Sequence, residues 1–213
     1  MVQTHRKHAR LHPDRRKQAL IGATLSLLAE GGLEAATVRT IAERAGATQG
    51  LIRHHFTTKD DLVAASYKQH MGWMTEACSI ALHQTFASDA ARLADFITRA
   101  LTPPVVDARN VALWSGFLHM VQYDPRMRAI HAKTYRVFRD RLEGLIIAAL
   151  EEAGRSQSAD VTARLAIAVN AVIDGLWLEG SVLPEGFDED ELPGIGLDSI
   201  EAIVGLTLRT KGH

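Results

Sequence analysis

From Pro13 onward the apolar residues of this chain recur at intervals of three and four, and no run of alternating apolar and polar residues flanked by hairpin turns interrupts them. Side chains three or four apart share one face of a helix, whereas a half-buried strand needs a period of two. The spacing predicts an all-α protein of nine helices. The first reads from Pro13 to Glu30, with Leu20, Ala23, Thr24, Leu27 and Leu28 as its buried stripe and Gly31-Gly32 as its stop. Thr37 then caps a short helix whose Val38, Ile41, Ala42 and Ala45 lie on one face. Gly46 ends it. Thr48 caps a second short helix that turns Leu51, Ile52 and Phe56 inward, and Thr58 with Asp61 forms a capping box for a long helix running to about His83. Further helices are expected near Asp89 to Leu101, Asp107 to Gln122, Pro125 to Ala153, Ala159 to Val182 and Leu197 to Thr210. Between the last two, Leu183 to Ser199 holds two prolines, three glycines and the acidic run from Asp188 to Glu191, and reads as a solvated connector.

Composition narrows the class. Cys78 is the only cysteine, so no intrachain disulfide forms, and a small buried hydrophobe is its simplest role. The basic N-terminus has no apolar stretch behind its charges and so fails as a secretory signal, and the purest apolar run, Leu145 to Leu150, falls far short of the ~20 residues of a membrane span. A cytoplasmic protein with no membrane partner is expected. Residues 1–60 carry ten Lys and Arg against five Asp and Glu, a net of +5, while residues 61–213 carry a net of −6. A basic end on an otherwise acidic chain suits a polyanion.

Within that basic end, "GATQGLIRHHFTTKDDL" (Gly46 to Leu62) crowds long polar side chains onto a very short helix. Two short helices joined by the glycine-containing turn Gly46-Ala47-Thr48 form a helix-turn-helix pattern, whose second helix is presented to the major groove of double-stranded DNA. Gln49, Arg53 and His54 lie on the presented face and are long enough to reach base edges, with Gln49 and Arg53 the expected base readers. Thr37, Thr48 and Lys59 stand at helix N-termini, where phosphates bind. Arg39 joins this candidate set from the preceding helix. Gly50 suits close approach of the backbone to DNA. His54 and His55 point about 100° apart and make no metal site by themselves, and His5, His8 and His12 have helical ligand spacing but no carboxylate or thiolate to complete a site. No metal and no cofactor is expected.

"TVRTIAERAGATQGLIRHHFTTKDDL", Thr37 to Leu62, resembles the DNA-binding signature of TetR-type bacterial repressors: a capped short helix, a Gly-hydrophobic-Ser/Thr turn, a glycine two residues on, then aromatic-Phe and a lysine three beyond. The resemblance covers roughly residues 13 to 65. Arg53 stands where the family usually has tyrosine, so the usual tyrosine contact to phosphate does not carry over. "LWSGFLHMVQYDPRMRAIHAKTYRVFRDRL" (Leu113 to Leu142) and "NAVIDGLWLEGSVL" (Asn170 to Leu183) further resemble the BetI-like repressors of choline and glycine betaine metabolism. The resemblance implies a DNA-binding domain at 1–59, an effector-binding and dimerisation domain at 60–213, a homodimer joined by the last two long helices, and release of a palindromic operator by a small-molecule effector.

Trp114 and Phe117 share one helical face, as do Asp174 and Trp177. An aromatic cage with one acid suits a cationic effector, although aromatics at this spacing are usually core, Asp174 could instead bond to a neighbouring helix at a dimer interface, and Leu118 stands where the subgroup often has a second aromatic. Two rival classes remain: an architectural DNA-binding protein without effector, and an all-helical enzyme. Catalysis finds no support, since G-x-S-x-G, a complete G-x-G-x-x-G, H-E-x-x-H and di-iron Glu-x-x-His pairs are all missing.

Overall fold

The computed structural model describes residues 13–188 and 190–209. Within them lie nine α-helices: α1 (Pro13–Ala35), α2 (Val38–Arg44), α3 (Gln49–His55), α4 (Lys59–Ser79), α5 (Asp89–Ala100), α6 (Ala108–Tyr123), α7 (Pro125–Glu152), α8 (Ala159–Val182) and α9 (Glu191–Val204), with 3₁₀ turns at Ile80–His83 and Pro184–Gly186. No strand occurs among the described residues. The basic arm with His5, His8 and His12 lies outside them.

Contacts divide the chain between Ser66 and Tyr67, seven residues past the Lys59 boundary drawn from the sequence, so the first two turns of α4 belong to the N-terminal unit. That unit buries Leu20, Ala23, Thr24, Leu27 and Leu28 of α1 together with Ile41, Ala42, Ile52 and Phe56. The helix of α1 breaks where Gly31-Gly32 was expected to stop it, with Gly32 at φ 66°, and one further helical turn reaches Ala35. Arg44 then grips the Glu30 carboxylate through two 2.7 Å hydrogen bonds, fixing α2 against α1.

The C-terminal unit centres on α5, α7, α8 and α9, whose Leu93, Phe96, Ile97, Leu142, Ile146, Val169, Ile173 and Ile200 make one apolar core. α9 corrects the sequence expectation. It begins at Glu191 and ends at Val204, about six residues earlier at each end than the Leu197 to Thr210 helix, so much of the supposed connector is helical. Pro193 falls in the first turn, where its missing N–H is no loss, and the Glu191 carboxylate accepts from the Asp188 amide at 2.9 Å. Gly196 lies so close to Leu101 that a Cβ would overlap it. Burial thus outweighs the ~1 kcal/mol that each helical glycine costs. Gly205, at φ 69°, closes the helix.

Candidate DNA-reading face and effector cavity

The turn between α2 and α3 is a Schellman closure. Gly46 takes φ 60°, its amide donates to the Glu43 carbonyl at 3.2 Å, and the Ala47 amide donates to the Ala42 carbonyl at 2.9 Å. Thr37 and Thr40 cap α2 reciprocally, Thr48 accepts from the Leu51 amide at 3.3 Å, and Thr58 and Asp61 complete the expected capping box at the start of α4. These caps fix three successive helix N-termini within 22 residues.

On that frame Ile52 and Phe56 are buried while Gln49, Gly50, Arg53 and His54 are exposed. His55 is half-buried, its ring 5.1 Å from that of His54. Arg39 is exposed on α2 beside Glu43 at 3.6 Å, and Lys59, half-buried, occupies the first position of α4. A Cβ built at Gly50 would meet only the Thr48 hydroxyl, at an ordinary 3.8 Å. The fold itself therefore has no steric need of glycine there.

In the C-terminal unit, α4, α5, α6, α7 and α8 enclose a cavity of about 60 Å³ walled by Met71, Met74, Thr75, Cys78, Ala100, Val105, Trp114, Tyr135, Phe138, Ile173, Asp174 and Trp177. Trp114 and Trp177 meet edge to face with centroids 5.6 Å apart, and the Trp177 indole donates to the Val105 carbonyl at 2.9 Å. Tyr135 donates its hydroxyl to Oδ2 of Asp174, and the Asn170 amide donates to the same oxygen at 2.8 Å. Burial raises the Asp174 pKa above the usual carboxylate range, while the bonds from Tyr135 and Asn170 and the nearby His131 pull the other way. Among the described residues Asp174 is in no ion pair. Burial pushes the Cys78 thiol up to about 12, so it serves as wall rather than nucleophile.

Three of the four residues proposed for the ligand, Trp114, Asp174 and Trp177, come together on this wall. Phe117 does not. It is fully buried against Tyr67, with ring centroids 4.5 Å apart, and packs α6 onto α4 away from the cavity lining. The sequence reading also missed Tyr135 and Asn170. Asn170 stands one turn before Asp174, a spacing that could have flagged it, but Tyr135 is 39 positions away on α7 and left no local signal.

The profile of the BetI-type transcriptional repressor C-terminal region matches residues 89–205, and that of the bacterial regulatory proteins of the tetR family matches residues 20–66. The chain belongs to the TetR family. Within that family it is similar to the HTH-type transcriptional regulator BetI of Burkholderia thailandensis, 29% identical over 89% of this chain and 93% of that protein. It is also similar to BetI 2 of Chromohalobacter salexigens, 30% identical over 83% and 82%. A solved transcriptional regulator from Pseudomonas aeruginosa is 30% identical with a TM-score of 0.81, covering 95% of both chains. A regulator from Saccharomonospora viridis, solved in complex with choline, has the same fold at TM-score 0.73 and 21% identity, covering 88% of this chain and 96% of that one. TetR-family chains of this BetI-like kind are DNA-binding transcriptional regulators, and this one is a regulator, not an enzyme.

Proposed function

We propose that this TetR-family regulator is a homodimeric repressor that holds a palindromic operator and is released by a small cationic effector bound at Asp174. The observation that carries the effector reading is the carboxylate itself: it lies in an aromatic, mostly apolar cavity without an opposing lysine or arginine, an arrangement that favours an incoming cation. The choline held by the Saccharomonospora regulator supports the same chemistry. Gln49 and Arg53 read bases, with His54 beside them, while Thr37, Arg39, Thr48 and Lys59 set the protein on phosphates. Thr37 and Thr48 act here through capped helix N-termini, since their hydroxyls are engaged by backbone amides.

Pairing is supported by the outer face of α8. Ile167, 52% exposed, and Val182, 55% exposed, fall in line with Ala171, Gly175 and Leu178, an apolar seam at helical spacing with small residues at its centre. α8 is also long and apolar enough to cross a membrane by length and composition, and coverage by a second copy of the same helix accounts for that composition in a DNA-binding protein. α4, which starts at Lys59 and carries Met71, Met74 and Cys78 into the cavity wall, is the element through which occupancy reaches the DNA-binding unit. Moving the protein from 99% competent to 1% takes about 5.5 kcal/mol of differential affinity, shared between two cavities.

Footprinting on the protein's own promoter, with and without added organic cations, tests the reading. Protection of a palindrome, lost on adding a cation to wild type and retained for Asp174→Asn, is the expected result. Binding without sequence preference would return the protein to the architectural class, and a monomer in micromolar light scattering would remove the dimer.

A further inference from the structure

The 60 Å³ cavity admits only a compact group, well below the ~300 Å³ at which pockets for drug-sized ligands begin. A second recess, of about 530 Å³, adjoins it, with Val105 lining both. The two recesses use alternate faces of the same elements: α4 turns Met74 and Cys78 to the inner one and Trp73 and Ala77 to the outer, while α5 gives Ala100 to the first and Arg99 to the second. Val105 is held in place by its carbonyl, which accepts from Trp177 inside and from Asn110 at 3.1 Å. Val105 is the one residue common to the two linings.

The outer recess is apolar where it is open. Trp73 is 42% exposed and Ile80 46% exposed, facing the exposed rings of Pro103 and Pro104. Its charged residues are already matched: Arg99 pairs with Asp95 at 2.6 Å and Glu76 with Arg141 at 2.7 Å. The inner cavity supplies an unmatched carboxylate, and the outer recess supplies apolar surface and no unmatched charge.

From this division we infer that the effector is a cationic amphiphile, with its charged head at Asp174 and an alkyl or aryl tail passing Val105 into the Trp73–Ile80 recess. The inference rests on the cation reading of the inner cavity, and chain length separates the two. Tetramethylammonium and the butyl-, hexyl- and octyl-trimethylammonium ions are titrated into the full-length protein by calorimetry. Affinity rises roughly fourfold per methylene, the slope expected when each enters an apolar site. Trp73→Ala and Ile80→Ala flatten that slope, weakening octyltrimethylammonium about tenfold with little change for tetramethylammonium; Asp174→Asn weakens the whole series together. A flat series in wild type, with Asp174→Asn still weakening every member, leaves a compact cation as effector and overturns the amphiphile. A rising series that both recess variants leave untouched places the tail elsewhere and overturns it too. If Asp174→Asn binds every member as wild type does, the cation reading itself fails and the inference with it.

Discussion

The seven residues of α3 hold Gln49, Arg53 and His54 in solvent between caps and a turn that lie close by in sequence, whereas the cavity takes its walls from five helices between Met71 and Trp177. In the first region the folding residues and the proposed DNA contacts are different side chains: Ile52 and Phe56 are buried, and Gln49, Arg53 and His54 face solvent. In the second the proposed effector contacts are themselves part of the packing. Trp177 packs the core, pins Val105 and walls the cavity, and Asp174 ties α8 to α7 while presenting the charge. Substitutions in the reading face should therefore change binding with little cost in stability. Substitutions in the C-terminal unit should change stability first.

The largest effect that would sharpen this contrast is at Trp177. Truncation to alanine removes a buried aromatic and its hydrogen bond and should cost about 3–5 kcal/mol in urea unfolding, enough to obscure any loss of effector response. Trp177→Phe, which keeps most of the volume, is the variant in which weakened response can be read. A Trp177→Ala protein as stable as wild type would break the comparison.

Next comes His70, buried in the same unit beside Trp73 and Phe117, with no hydrogen-bond partner for Nε2 among the described residues. Burial, helped by Arg109, lowers its pKa from 6.5 to about 4. The folded chain refuses a proton that the unfolded chain accepts, so this contribution is complete above pH 6.5 and is lost as pH falls toward 4, on the order of 3 kcal/mol. Asp174, raised by burial, works in the opposite direction over its own titration. Urea midpoints measured from pH 7 to 4 should fall for wild type and fall less for His70→Phe.

On the reading face, Arg53→Ala should cost ~1–3 kcal/mol on the operator and little on random DNA, with an unchanged melting temperature. Lys59→Ala should instead weaken all sequences alike and reduce the salt slope by roughly 1. Equal losses on both DNAs for both variants would erase the division between base and phosphate contacts. The smallest effect is the sharpest test of the separation itself: Gly50→Ala has room within the fold, so it should raise helix stability by up to ~1 kcal/mol while weakening DNA binding. A variant gaining stability with full DNA affinity would leave Gly50 without a function.

The same contrast governs what was legible beforehand. Caps at Thr37, Thr48 and Thr58 and the turn at Gly46 are local signals, each resolved within a few residues, and the helices they delimit came out where the sequence put them. α9 did not, because Pro193, Gly194 and Gly196 read as a breaker run, and only the approach of Leu101, nearly a hundred positions earlier, supplies the reason for a helix. Phe117 shows the same limit: three residues from Trp114, it is turned toward Tyr67, which periodicity could not foresee. Tyr135 reaches Asp174 only across the packing of α7 on α8, 39 positions away in sequence.

The seam on α8 carries a last consequence, for copy number. On the proposed pairing, a subunit that leaves Ile167, Leu178 and Val182 in water gains stability when it meets another, so by mass action its melting temperature should rise with protein concentration. At low concentration, dissociated chains would then be the species most open to proteolysis. Degradation would set a floor on abundance, and an operator that holds two subunits, as proposed, would shelter them from it.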